Sequence, residues 1–332
     1  MEFGIFDHVE RQGDDLGAIY RGRILVAQAA DRAGFFCYHV AEHQGTPLSL
    51  TPSPNLLLAQ LALATTRLRL GALCYILPLY DPLRLANEIC MLDHMSGGRL
   101  EVGIGRGISQ IEMGFYDVDA AASRELFQEN LEILLKALTS DTLDHDGPRH
   151  HFHDVPIVLG PKQRPHPPLW YPTSGMDSIP WVGAQRYNTV FQGSASHVAE
   201  QVRRLRDSYP DAHALEQARY GKLLYVFIAE TDDAAMSFAA PTYSRHLEHL
   251  YFLARRRGAP LGLPRPETIS DALRDGWAAV GSPETVADQI AAIRGETGCN
   301  YFVFNPLLAD TPTARGVAQI ELFAEQVMPK LS

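Results

Sequence analysis

Positive charge is scarce in this chain: 29 Lys and Arg stand against 39 Asp and Glu in 332 residues, a formal net charge of -10 at pH 7. A surface that neutralises a phosphate backbone or an anionic bilayer needs the opposite balance, so neither a nucleic acid nor a membrane is expected as partner. A small-molecule substrate is the expected alternative. No apolar run approaches a transmembrane span, and the start, MEFGIFDHVERQGDD, lacks the basic residues and long apolar stretch of an export signal. Cysteine is sparse as well. Cys37, Cys74, Cys90 and Cys299 show no CxxC spacing, which reads as reduced core thiols in a cytoplasmic protein. The dinucleotide fingerprint GxGxxG is missing, since GIGRG has the wrong spacing and no acidic residue closes a βαβ unit at the right distance. His145, His150, His151 and His153 match no zinc spacing, and the pair His246 and His249, three apart in a predicted helix, is too little for a site, so no metal is expected. Internal repeats and flexible linkers are lacking too.

What is present is a 46% apolar chain in which short β-like runs alternate with amphipathic helical stretches from start to end, the pattern of a parallel α/β fold. Strands are predicted at 3–6, 38–41, 68–75, 100–104, 169–171, 189–192, 222–228 and 301–305. Eight strands with helices between them point to a closed (β/α)8 TIM barrel with loop insertions, a single domain over 1–332. Asp81 and Pro82 open a helix that buries Leu85, Ile89 and Leu92 and stops at Gly97-Gly98. Ser282 and Pro283 open another, with Val286, Ile290 and Ile293 on one stripe, and a third runs from Ser123 with Phe127, Leu131 and Leu134 inward. The alternation breaks around 141–168, where paired apolar runs suggest a hairpin, and around 256–272. Barrels carry such insertions in their loops.

In a (β/α)8 barrel the active site sits at the C-terminal ends of the strands, so the polar residues that follow each apolar run are the candidates. Glu42-His43-Gln44 follows the second run, Gly105-Arg106-Gly107 the fourth, and Thr173-Ser174-Gly175 the fifth, with Ser178 close behind. An arginine between two glycines can meet a phosphate bidentately while the backbone comes close; a structural salt bridge is the other reading of Arg106. Thr173-Ser174-Gly175 resembles a helix start, which offers N–H groups and hydroxyls to a phosphate or caps the helix. His43 carries an imidazole suited to proton transfer near neutral pH, with Glu42 either orienting the ring or pointing elsewhere. Tyr75, Phe115, Tyr116 and Trp170 are candidate pocket aromatics.

The segments YHVAEH (38–43), LGALCYILPLYDPLRLANEICMLDHMSGGRLEVGIGRG (70–107), GSPETVADQIAAIRGETGCNYFVFNPLL (281–308) and LFAEQVMPKL (322–331) together resemble the bacterial luciferase-like flavin-dependent monooxygenases, over nearly the whole chain. The resemblance implies a flavin across the C-terminal mouth of the barrel. It places His43 on the active-site histidine and Leu73-Cys74 on a non-prolyl cis peptide beneath the flavin ring. Arg106, with Gly107 beside it, falls at the FMN phosphate, and Ser174, Gly175 and Ser178 fall on the phosphate-binding turn. Glu112 lies where luciferases have an acidic residue near the flavin; a solvated loop carboxylate is the alternative. The chain departs from the family at several points. Gly105 replaces the reactive cysteine of luciferase, so light emission is not implied. Gln44 stands where many relatives have a second histidine, Ser174 where luciferase has a carboxylate, and Arg186 at a usual glycine.

The activity implied is a two-component monooxygenase that uses reduced FMN, supplied by a separate NAD(P)H:flavin reductase, and O2 to oxygenate a small organic substrate, with His43 as acid/base in a homodimer. Two alternatives stand beside it: an F420-dependent hydride-transfer enzyme on the same fold, which the acidic balance disfavours, and a non-catalytic flavin-binding protein.

Overall fold

The computed structural model describes residues 1–260 and 264–331. Strands β1 (Glu2–Asp7), β2 (Cys37–Val40), β3 (Arg69–Ile76) and β4 (Leu100–Gly105) run parallel in that order. A hairpin of β5 (Thr142–Asp146) and β6 (His151–Pro156) follows, then β7 (Leu169–Trp170), β8 (Thr189–Phe191), β9 (Tyr220–Ile228), β10 (Ala278–Gly281) and β11 (Tyr301–Phe304). β4 pairs with β7, β8 with β9, β9 with β11, and β11 with β1. One seam remains, and a parallel bridge between Trp170 and Asn188 spans it, with the Tyr171 N–H donating to Asn188 O at 2.8 Å. The sheet therefore closes into the (β/α)8 barrel.

Strand alternation sorts the side chains between two cores. Phe6, Ala41, Leu73, Trp170, Val190, Leu223, Tyr301 and Val303 face inward and pack on one another. Their neighbours in sequence, such as Ile5, Val40, Ala72, Leu224 and Phe302, face outward and join the helix layer. The helix Pro82–Met95 starts as its sequence dictates: Asp81 accepts from the Arg84 N–H at 2.8 Å, Pro82 opens the first turn, and Leu85, Ile89 and Leu92 are buried. Gly97 and Gly98, at φ 71 and 88, end it in a backbone region that glycine enters without steric cost. The helix Pro283–Thr297 repeats the design on Ser282 and Gly298, and Phe127, Leu131 and Leu134 are buried on Ser123–Thr139.

A buried ion pair braces the end of β1. Asp7 accepts from Arg23 Nε at 3.1 Å and from the Tyr38 hydroxyl at 2.6 Å, while its other oxygen takes the Val9 N–H at 2.7 Å. Val9 sits at φ 55, so this carboxylate holds a turn that a β-branched residue disfavours.

The eight predicted strands are the eight barrel strands. The prediction missed β10, which pairs with Tyr225–Ile228, beyond the part of β9 that β8 uses. AAVG is short, small and lodged between Trp277 and the Ser282 cap, and that hides its strand character. The 141–168 stretch contains the antiparallel hairpin, where His145 lies 3.5 Å from Glu129 and His151 lies 2.6 Å from Asp146. Among the described residues no three or more His, Cys, Asp or Glu side chains are placed so that they could hold a metal ion. The 256–272 stretch holds the end of helix Phe252–Arg257 and the start of helix Ile269–Arg274; its residues 261–263 lie outside the described ones. Arg186 keeps φ 59 in the turn before β8, a left-handed position filled without glycine. Among the described residues no helix is long and apolar enough to cross a membrane.

Candidate active site

The C-terminal ends of the barrel strands open into a cavity of about 940 Å³. His43, Leu73, Cys74, Arg106, Gly107, Ser174, Gly175 and Ser178 all line it. Sequence-distant residues meet here because each closes or follows a strand of one parallel ring, and parallel strands deliver their C-terminal ends to one face.

His43 leaves β2 and is held by Glu112, from the short helix Gln110–Gly114 after β4. Nδ1 lies 3.1 Å from Oε1 and 3.3 Å from Oε2, and the Gln44 N–H donates to the same carboxylate at 2.7 Å. With Nδ1 on Glu112, Nε2 has no hydrogen-bond partner among the described residues and is the nitrogen left for chemistry. Burial pushes the imidazole pKa down, but attraction to Glu112, its hydrogen bond and the more distant Glu42 outweigh it and leave the value above the ordinary one. Burial pushes Glu112 up in the same way; the His43 charge and the surrounding hydrogen bonds bring it below its usual range. The pair therefore stabilises the fold fully between the ordinary glutamate and imidazole values; the contribution fades as pH rises through the raised His43 value and is lost as pH falls through the lowered Glu112 value. Glu112→Gln should return His43 to a lower midpoint, so that the ring loses its proton at lower pH than in the wild type. A histidine NMR titration reads this directly, and an unmoved midpoint would mean that Glu112 does not set it.

Glu42, adjacent in sequence, does not orient the ring. It turns away to accept from the Ile76 N–H at 3.1 Å, the Tyr80 hydroxyl at 2.9 Å and Gln44 Nε2 at 3.2 Å. Burial is the larger influence and lifts its pKa to about 7 despite these donors. Glu112 is thus a buried carboxylate held against His43 and not a solvated loop carboxylate.

The Leu73-Cys74 peptide is cis. Cys74 turns its thiol toward β4, where a Cβ built on Gly105 would overlap Sγ. Gly107 is also a true glycine position, with φ 82 and a Cβ that would approach Ile76 Cγ2 to 2.8 Å. Arg106 is exposed and makes no hydrogen bond or ion pair among the described residues, which removes the structural salt bridge as its explanation. After β7, Met176–Ser178 forms a single turn leading into the helix Ile179–Ala184. The Thr173 hydroxyl takes the Gly175 N–H at 3.2 Å and meets Ser178 Oγ at 2.6 Å, so that turn is partly self-satisfied, while the Ser174 hydroxyl has no partner among the described residues.

The expected aromatics are corrected. Tyr75 faces outward onto Asn55, Trp170 lies deep in the barrel with Nε1 on Glu101, and Phe115 and Tyr116 sit on the surface. Phe6, Phe127, Tyr171, Trp181 and Tyr187 line the cavity instead. Alternation from the inward Leu73 would point Tyr75 into the barrel, but the register shift between Ala72 and Tyr75 turns it outward, and depth in the barrel explains Trp170. His8, Gln192 and Arg265 also line the cavity and were not anticipated. His8 follows the first run and Gln192 ends the sixth, just past the strand proper, so the strand-end rule applied there would have found them; Arg265 comes from a loop with no such signal.

Comparisons with known proteins point to the same fold. Uncharacterized protein y4wF of Sinorhizobium fredii is 36% identical over 318 residues, covering 94% of this chain and 92% of that protein. The oxygenase component of flavin-dependent trigonelline monooxygenase from Acinetobacter baylyi is 28% identical over 247 residues, 71% of this chain and 67% of that protein. Among solved structures, the monooxygenase RslO1 from Streptomyces bottropensis superposes with TM-score 0.89 at 23% identity over all of both chains. The oxygenating constituent of 3,6-diketocamphane monooxygenase from Pseudomonas putida, in complex with FMN, has TM-score 0.77 at 21% identity and covers 99% of this chain and 98% of its own. The F420-dependent tetrahydromethanopterin reductase of Methanopyrus kandleri shares the fold at TM-score 0.72 and 16% identity, over 100% of this chain and 99% of its own. The sequence profile described as luciferase-like monooxygenase matches residues 1–300, and this chain belongs to that family.

Proposed function

We propose that the chain is the oxygenase component of a two-component flavin monooxygenase. It binds reduced FMN, delivered by a separate NAD(P)H:flavin reductase, and uses O2 to place an oxygen atom in a small organic substrate. The observation that carries this reading is a free cation, Arg106, in the same cavity as an imidazole whose inner nitrogen is already committed to a carboxylate. The names of the trigonelline and diketocamphane enzymes, an oxygenase component and an oxygenating constituent with FMN, support it.

The residues present fit such a cofactor. Arg106 and the Ser174 and Ser178 hydroxyls would hold the phosphate, Gly175 and Gly107 let the backbone come close, and Leu73 and Cys74 offer a bed for the ring. Reduced flavin would supply the electrons that activate O2. The chain's own share is to bind, to exclude water with Ile76, Leu79, Met113, Phe127 and Leu131, and to hold or release a proton at His43 Nε2. We read residues 1–332 as one domain acting in the cytoplasm, where its four free thiols stay reduced. We also read it as a homodimer in which a second copy covers Leu56, Leu63, Met91 and Met95, all exposed.

The test is an anaerobic titration with reduced FMN and reduced F420 in turn, then admission of O2. Tight FMN binding with O2 consumption supports the proposal; binding of F420 alone with hydride transfer would replace it with the deazaflavin alternative. FMN binding without substrate-dependent O2 chemistry would favour a non-catalytic flavin binder. Arg106→Gln should weaken FMN about 10- to 100-fold, as expected for losing charge-assisted hydrogen bonds. An unchanged FMN affinity would take Arg106 out of the phosphate site.

A further inference from the structure

Across the ring from β7, whose following turn carries Ser174 and Ser178, stands β1, and across from β3 stands β9. The arc from β8 through β9 and β11 to β1 carries a second group of polar side chains that the cofactor reading leaves unused. His8, just past β1, is buried beside His43, with ring centroids 6.0 Å apart, and neither of its nitrogens has a hydrogen-bond partner among the described residues. Its Nδ1 is closed from solvent. Burial, with the nearby His246, His43 and Arg265 outweighing Glu10, holds its pKa well below the ordinary value, so it stays neutral and keeps one N–H to donate.

Arg265 is fixed from four sides. Its guanidinium donates to Gln192 Oε1, hydrogen-bonds the Tyr225 hydroxyl and lies 5.0 Å from the Trp277 ring centroid, and its backbone N–H donates to the Tyr251 hydroxyl at 3.1 Å. Yet Nε is buried without a partner, and among the described residues no carboxylate comes within ion-pair distance. Glu10, a carboxylate on this side of the barrel, is fully buried and already shared between His246 Nδ1 and His249 Nδ1, each at 2.9 Å. Burial pushes Glu10 up, but attraction to His246 and those two hydrogen bonds overcome it and hold the carboxyl at about 2. A cation held only by neutral acceptors and an unpaired neutral imidazole thus line one cavity, with no anion among the described residues to balance the charge.

We propose that Arg265, Gln192 and His8 form a substrate subsite for an anionic oxygen, so that the substrate is a small organic acid whose carboxylate or phenolate oxygen docks there. The proposal builds on the oxygenase reading, because it takes the phosphate of the cofactor to be held elsewhere, at Arg106.

The test is calorimetric binding of 2-naphthoate and its neutral isostere 2-naphthamide, with and without FMN, to the wild type, Arg265→Gln and Arg265→Lys. The wild type should bind naphthoate at least about tenfold tighter than the amide, as a charge-assisted contact would give. Arg265→Gln should abolish that preference, Arg265→Lys should keep part of it, and both should bind the amide and FMN as the wild type does. Equal binding of acid and amide by the wild type, undiminished naphthoate binding by Arg265→Gln, or no binding of naphthoate at all would overturn the subsite. Parallel loss of FMN from Arg265→Gln would overturn it too and assign the arginine to the cofactor. If the wild type bound no FMN yet showed an anion preference that Arg265→Gln removed, the subsite would stand and the flavin reading would fall.

Discussion

Replacing His43 with alanine is expected to slow substrate oxygenation about 100- to 10,000-fold, the span that a positioned acid/base contributes, while FMN affinity stays near that of the wild type. The separation of the two effects follows from the cavity. Arg106 and the Ser174 turn would carry the phosphate, and neither touches the imidazole. The ring itself is aligned by Glu112 through Nδ1, which leaves Nε2 as the atom that exchanges a proton. Initial rates at saturating reduced FMN, measured with oxygen uptake corrected for uncoupled oxidation, would show the loss, and a wild-type rate would remove His43 from the chemistry. Glu112→Gln should give an intermediate loss with its pH profile displaced downward, a displacement that simple misfolding would not produce.

The second large effect is on stability. Asp7→Asn removes the counterion of a guanidinium that is completely buried, and breaking one side of such a pair costs about 3–5 kcal/mol. Arg23 keeps only Gln12 Oε1, at 3.2 Å, and its Nη2 is already without a partner. The Tyr38 hydroxyl and the Val9 N–H lose their carboxylate in the same step. Most domains have about 5–15 kcal/mol in total, so the variant would sit near the threshold of folding. Urea denaturation followed by circular dichroism measures this, and a wild-type midpoint would mean that the pair contributes nothing net. Because the Asp7 brace ends one residue before His8, the same variant should loosen the far arc of the cavity first.

The fold was legible because every barrel strand carries an apolar run with its own boundaries, and each helix between them shows a cap or a stripe. β10 escaped because four small residues have no alternation to read. At the site, the strand-end rule located His43, Arg106 and the Ser174 turn in one cavity. It could not say which carboxylate serves the histidine. Glu42 is adjacent in sequence but on a backbone that turns its side chain away, whereas Glu112 arrives from another loop, and only the closed ring puts the two next to each other. The same applies to Glu10, His246 and His249: read along the chain they are a scattered acid and a helical pair, and tertiary packing makes them a single charge-sharing group. The aromatics failed for a simpler reason, since side-chain type says nothing about parity or depth.

The cramped meeting of Cys74 with Gly105 carries a lesson about inheritance of chemistry on this scaffold. A side chain at position 105 would meet the Cys74 thiol where that thiol now lies, so the two adjacent strands compete for one spot. A cysteine transplanted to position 105, as the luciferase resemblance would have it, must first swing the thiol at 74 aside, and sulfur at this spot is therefore a matter of rearrangement between neighbours and not of simple addition.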